Sequence, residues 1–164
     1  MLSERTPARL GLLAAGFGVV ANVLTGVLLL AVPRYALSGA AMRTYLETWF
    51  DPISTVGQAL TFVGTPLLAA AFGFYLVRSR DATTKDALTG FAPSGVVFAA
   101  VVTLVNWAVS APSLRPETVE FAIQFVRLAG LFLGATLLGA LVGETVRERA
   151  EASAAESPQP QHEQ

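Results

Sequence analysis

Residues 120–139 read EFAIQFVRLAGLFLGATLLG, and the fold turns on how this stretch is read. It is long, almost wholly apolar, and shows none of the ten-residue dyad alternation that a membrane β-strand would carry. One charge, Arg127, stands about two turns inside it. A run of this kind suits a helix buried in hydrocarbon, and the arginine asks why it is tolerated there.

Three further runs resemble it. Residues 10–32 read LGLLAAGFGVVANVLTGVLLLAV, residues 53–77 read ISTVGQALTFVGTPLLAAAFGFYLV, and residues 91–111 read FAPSGVVFAAVVTLVNWAVSA. With the fourth taken as residues 119–142, each meets or exceeds the ~20 residues needed to cross a hydrocarbon core. In lipid the backbone must satisfy its own hydrogen bonds, so the runs predict helices. The fold class that follows is all-α: an integral membrane four-helix bundle, residues 1–152, with residues 153–164 as a disordered cytoplasmic tail.

Composition supports this reading. Hydrophobic residues make up 53% of the chain and charged residues 14%, against about 25% charged in soluble domains. Mean hydropathy is +0.56. The net charge of −1 gives no basic face for nucleic acid. There is no cysteine, so disulfides, iron–sulfur clusters and thiol catalysis are excluded. The one histidine, His162, lies in the tail, and histidine-based zinc or haem sites lack their usual ligands. No phosphate-binding loop, nucleophile elbow or zinc-protease motif occurs. We therefore expect no enzyme, no catalytic residues, no metal and no cofactor.

Boundary signals are clear. Asp51-Pro52 reads as the start of the second helix and Arg115-Pro116-Glu117 as the start of the fourth. Pro66 lies inside the second run and predicts a kink, with Thr61 and Thr65 placed to bond the freed carbonyl region. Residues 36–52, ALSGAAMRTYLETWFDP, carry apolar side chains at Met42, Tyr45, Leu46, Trp49 and Phe50. That helical stripe predicts a short amphipathic helix in the first outer loop, with Arg43 and Glu47 at i, i+4. The fourth helix is expected to continue through residues 144–152, with Arg147 and Glu151 paired. The first run exceeds the usual signal-peptide core, so it reads as a retained helix.

Loop charges set the expected orientation. Arg5, Arg9, Arg78, Arg80, Lys85, Arg147 and Arg149 fall on one side; Arg34, Arg43 and Arg115 fall on the other. Seven against three places both termini in the cytoplasm and the chain in the cell membrane. Tyr35, Tyr45, Trp49 and Trp107 then form an outer aromatic belt.

At 100° per residue, every run carries one small or polar stripe. These are Gly11, Ala15, Gly18, Asn22 and Thr25; Gln58, Thr61, Thr65 and Ala69; Ala99, Thr103, Asn106 and Ser110; and Glu120, Gln124, Arg127, Leu131, Gly134 and Leu138. Lipid rejects such stripes, so they are expected to face one another. The candidate ligand-binding residues are Arg127, Gln124, Glu120, Asn22, Gln58 and Asn106, gathered in a polar region in the outer half of the bundle. The Gly139–Gly143 pair has the spacing of a helix contact, within the chain or in a homo-oligomer.

Expected partners are the lipid bilayer and, beyond it, other membrane subunits or a second copy. The first functional reading is a non-enzymatic structural or accessory membrane protein. The second is a small-solute transporter, channel or sensor with an outward-facing polar pocket around Arg127.

Overall fold

The computed structural model of the chain describes residues 5–80, 82–109 and 118–156; all of these are helical except the links 37–38 and 82–83. Four rods, Thr6–Ala36, Gly39–Arg80, Thr84–Ala108 and Thr118–Ala155, are long and apolar enough to cross a membrane. The all-α four-helix architecture is thus as the sequence predicts. The segments before the fourth rod and beyond Glu156, with Ser110, the Arg115–Glu117 cap and His162, lie outside the described residues.

Two rods are interrupted in the same way. The first is α1 (Arg5–Gly26), a π-helical turn (Val27–Ala31) and α2 (Val32–Ala36). The second is α3 (Gly39–Ala59), a π-helical turn (Leu60–Gly64) and α4 (Thr65–Arg80). In each, a proline stands two residues after the π turn, Pro33 and Pro66. The coincidence has a cause. Proline has no N–H and its ring clashes with the carbonyl four residues back; a π turn shifts the pairing by one residue and accommodates both.

The shift leaves carbonyls without donors. Val32 N–H donates to the Val27 carbonyl, so the Leu28 carbonyl would next look to Pro33 and finds nothing. The Tyr45 hydroxyl donates to it at 3.1 Å, bonding the first rod to the second. In the second rod both the N–H of Thr65 and its hydroxyl, at 3.2 Å, donate to Leu60. Thr65 thus bonds a carbonyl near Pro66, but the Leu60 one, which already has a donor, and the Thr61 hydroxyl bonds none.

The remaining rods are α5 (Thr84–Val109) and α6 (Thr118–Glu156). A reciprocal box starts α5: Thr83 N–H donates to Asp86 Oδ2 at 3.0 Å, and Asp86 N–H donates to Thr83 Oγ1 at 3.1 Å. Helix α6 runs to Glu156, four residues into the stretch expected to be unstructured, because its end is rich in alanine and glutamate, both good helix formers. Arg147 and Glu151 pair at 3.7 Å as expected. Arg43 and Glu47 do not close.

The amphipathic stretch is helical, but it does not lie apart. It is the first half of α3 and runs through Pro52 into the second span without a break. Pro52 is exposed, so the carbonyl it deprives is not trapped in the bundle. The reversal between the first two rods falls at Gly39, whose φ of 55° is the left-handed region that glycine alone enters freely.

The rods form a ring in the order first, third, fourth, second. α4 and α6 run side by side in the same direction. Gly139 lies against Ala70, Gly143 against Phe74, and Arg147 Nη1 donates to the Val77 carbonyl at 3.3 Å. The Gly139–Gly143 pair is thus spent on α4 within the chain. Phe91, Phe98 and Phe132 stack through the centre with centroids 6.2 Å and 5.7 Å apart. Large apolar side chains cover the outside: Val20 is 65% exposed, Leu67 63% and Leu138 66%. A surface of this kind is stable in hydrocarbon and unstable in water.

Candidate functional site

One end of the ring carries Tyr35, Trp49 and Trp107, the other Arg78, Arg80 and Arg147. At the aromatic end a cavity of about 550 Å³ opens between the rods. Its origin is the interruption at Leu60–Gly64. Below it, α4 packs along α6; above it, α3 leans on α1 and leaves α6 behind. Gly57 makes that lean feasible, because a Cβ there would overlap the Thr25 side chain.

Four of the six residues singled out in the sequence line this cavity: Asn22, Gln58, Asn106 and Gln124. Both π turns contribute to the wall, the first through Leu29 and Leu30, the second through Thr61 and Phe62. Asn22 Nδ2 donates to Asn106 Oδ1 at 3.2 Å, tying α1 to α5. Gln58 Nε2 donates to Ser54 Oγ at 3.3 Å, one turn back on its own helix. Thr25 Oγ1 donates to the Ala21 carbonyl at 2.7 Å.

Two oxygens at this site are buried without a partner: Asn22 Oδ1 and Thr61 Oγ1. Thr61 is only 1% exposed. Its carbonyl is also deprived, since Thr65 N–H is committed to Leu60 and Pro66 has no N–H to give. An unpaired buried polar group costs about 1–3 kcal/mol. Among the described residues the site therefore offers two unused hydrogen-bonding oxygens and no formal charge.

The other two singled-out residues lie elsewhere. Glu120 is exposed in the first turn of α6. Arg127 is exposed on the outer flank of α6, beside Val119, Ala122, Ile123 and Val126. Among the described residues it makes no hydrogen bond or ion pair. The side of α6 that meets the bundle is Leu128, Phe132, Thr136, Gly139 and Gly143, one residue, hence 100°, away from the stripe expected from Arg127. The close fits at Gly139 and Gly143 and the Phe132 stack fix that rotation; a charge did not. On the other three rods the expected stripes do face inward, apart from Gln58 at the rim: Gly11, Ala15 and Gly18, then Thr61, Thr65 and Ala69, then Ala99 and Thr103, are all buried.

Sequence reasoning did not assign Thr25, Ser54 or Thr61 to the site, nor the apolar wall of Phe50 and Phe62. The signal for Thr61 was present in the Thr61–Pro66 spacing, which marks the carbonyl a proline strands. No known protein family, characterised protein or solved structure matches the chain, so the site's geometry alone carries the functional reading.

Proposed function

We propose that this chain is a non-enzymatic, multi-pass accessory protein of the cell membrane, with both termini cytoplasmic, that binds an uncharged hydrogen-bonding group in the amide-lined cavity at its outer end. The observation that carries the proposal is the convergence of Asn22, Gln58, Asn106 and Gln124 on one cavity whose Asn22 Oδ1 and Thr61 Oγ1 lack partners. A site without charge discriminates against ions, because a buried unpaired charge is far costlier than a paired dipole. Below the cavity, Phe98, Leu128 and Phe132 are buried and closely packed, which favours a binding or sensing role over a conduit.

Orientation rests on the seven-to-three distribution of basic residues. The spacing on α6 sets the depth of the fourth span. Twenty residues separate Arg127 from Arg147, about 30 Å of helix, which is the thickness of a hydrocarbon core. Arg127 then belongs to the outer boundary. Its Cβ tilts toward the helix N-terminus, so the guanidinium rises to the headgroups.

The native chain has no cysteine, so single-cysteine variants report cleanly. A membrane-impermeant maleimide added to intact cells is expected to label Ser54→Cys and Gln124→Cys, and to leave Ser153→Cys unlabelled until the membrane is opened. Labelling of Ser153→Cys alone from outside reverses the orientation. Failure of Ser54→Cys and Gln124→Cys to label, while exposed Met42→Cys labels, removes the open cavity and with it the proposed role.

A further inference from the structure

Building on that reading, we infer that the cavity's ligand is an uncharged amphiphile from the surrounding bilayer, with a hydroxyl- or amide-bearing head and a hydrocarbon tail. Three observations combine. The first concerns the head. Asn22 Oδ1 is unpartnered and can only accept, and so can the Thr61 carbonyl left by Thr65 and Pro66; the unpartnered Thr61 hydroxyl can accept or donate. The complementary group must donate hydrogen bonds. Because no charged side chain lines the cavity among the described residues, a neutral donor fits it best.

The second concerns the tail. The same cavity is walled by Leu29, Leu30, Phe50, Phe62 and Val105, and a small sugar or amide free in water would leave these surfaces unused. Gly26, Leu30 and Val105 also border a second, separate apolar groove of about 390 Å³ between the first rod and α5.

The third concerns depth. Gln124, on the cavity wall, stands three residues before Arg127 on the same helix, about 4.5 Å along its axis. The cavity thus sits where Arg127 marks the hydrocarbon boundary, the level at which an amphiphile's head and tail divide. A gap between rods at that depth is filled from the bilayer.

The test uses the full-length protein in lipid nanodiscs and a monoacylglycerol bearing a photoreactive group near its head. Saturable crosslinking is expected at cavity residues. It should be competed by unlabelled monoacylglycerol but not by the corresponding fatty acid methyl ester, which has no donor, nor by a lysophosphatidic acid, whose head is charged. Thr61→Val keeps the side-chain shape and removes the hydroxyl, and should weaken binding by roughly three- to tenfold. Leu30→Trp, at a cavity-wall position already 41% exposed, should fill the cavity and abolish crosslinking with the helical content unchanged. Equal competition by the methyl ester, together with no effect of either variant, would mean ordinary boundary lipid and overturns the inference. Competition by free glycerol as effective as by the monoacylglycerol would reject the amphiphile while leaving the polar site standing. Loss of the site itself shows instead in the Ser54→Cys and Gln124→Cys labelling.

Discussion

Arg127 and the glycines of α6 show how far a single residue's chemistry predicts its surroundings. Arg127 has no partner among the described residues, and insertion is carried by the Phe, Leu, Val and Ile around it. Arg127→Leu is therefore expected to insert normally, to leave Gln124→Cys labelling unchanged, and to keep the thermal midpoint in detergent within a few degrees. Loss of insertion would show that the charge positions the span. Glycine context is sharper still. A Cβ at Gly139 would overlap the Ala70 backbone, which cannot swing away as a side chain can, whereas a Cβ at Gly130 meets nothing within 4 Å. Gly139→Ala should force α4 from α6 and lower the midpoint markedly. Gly130→Ala should be neutral or stabilise by about 0.5–1 kcal/mol through helix propensity. A circular-dichroism melt of both variants in one detergent decides this; equal effects would contradict the packing of α4 on α6. Both glycines belong to G-x-x-x-G spacings, so the sequence could not say which pair was in use. That depends on the rotation of α6, which a hundred-degree error reverses.

Secondary-structure elements were legible in proportion to how far lipid dictates them. Each apolar run had to become a helix, and each did. Where the chain leaves that constraint, local signals misled: Asp51-Pro52 has the form of a helix start yet lies inside α3, thirteen residues past Gly39, where Pro52 is exposed and the carbonyl it deprives is not trapped in the bundle. The π turns were legible only as a proline kink at Pro66; the matching one before Pro33 came from the same physics and was not foreseen. Two predictions belong at this scale. Tyr45→Phe removes the donor to the Leu28 carbonyl and should cost about 0.5–1.5 kcal/mol, read as a lowered unfolding midpoint in detergent. Pro66→Ala restores an N–H, allows regular α-helical pairing, and should let α3 continue along α6 as α4 does. Spin labels at Thr55 and Gln124 should then move closer, and the cavity should narrow. An unchanged distance would assign the bend to the contact of Gly57 with Thr25 rather than to the proline.

For the molecule as a whole, an even number of rods brings Arg5 and Glu156 to the same end of the bundle. Hydropathy fixes the crossings and is indifferent to direction; direction falls to the basic residues flanking them. The polar cavity was foreshadowed by four of its amides because lipid leaves such groups no other place, while its volume was not, since it arises from a bend two helical turns away from Ser54. The orientation argument has a consequence that can be measured. Arg78, Arg80 and Lys85 cluster around the second link, and all three are exposed. Arg78 lies over the Phe74 ring and Arg80 donates to the Tyr75 hydroxyl, both within α4 itself, so replacing all three with alanine should leave the contacts between rods intact. It does reduce the basic bias from seven against three to four against three. If that bias orients the chain, a fraction of the triple variant should insert inverted, and Ser153→Cys should then react with impermeant maleimide from outside while Ser54→Cys reacts less. The two signals must change in opposite senses, because one rigid set of four helices can only turn over together. A triple variant that keeps the native labelling at both sites would show that the loop charges do not set the direction, and that the apolar runs or their flanking aromatic residues do.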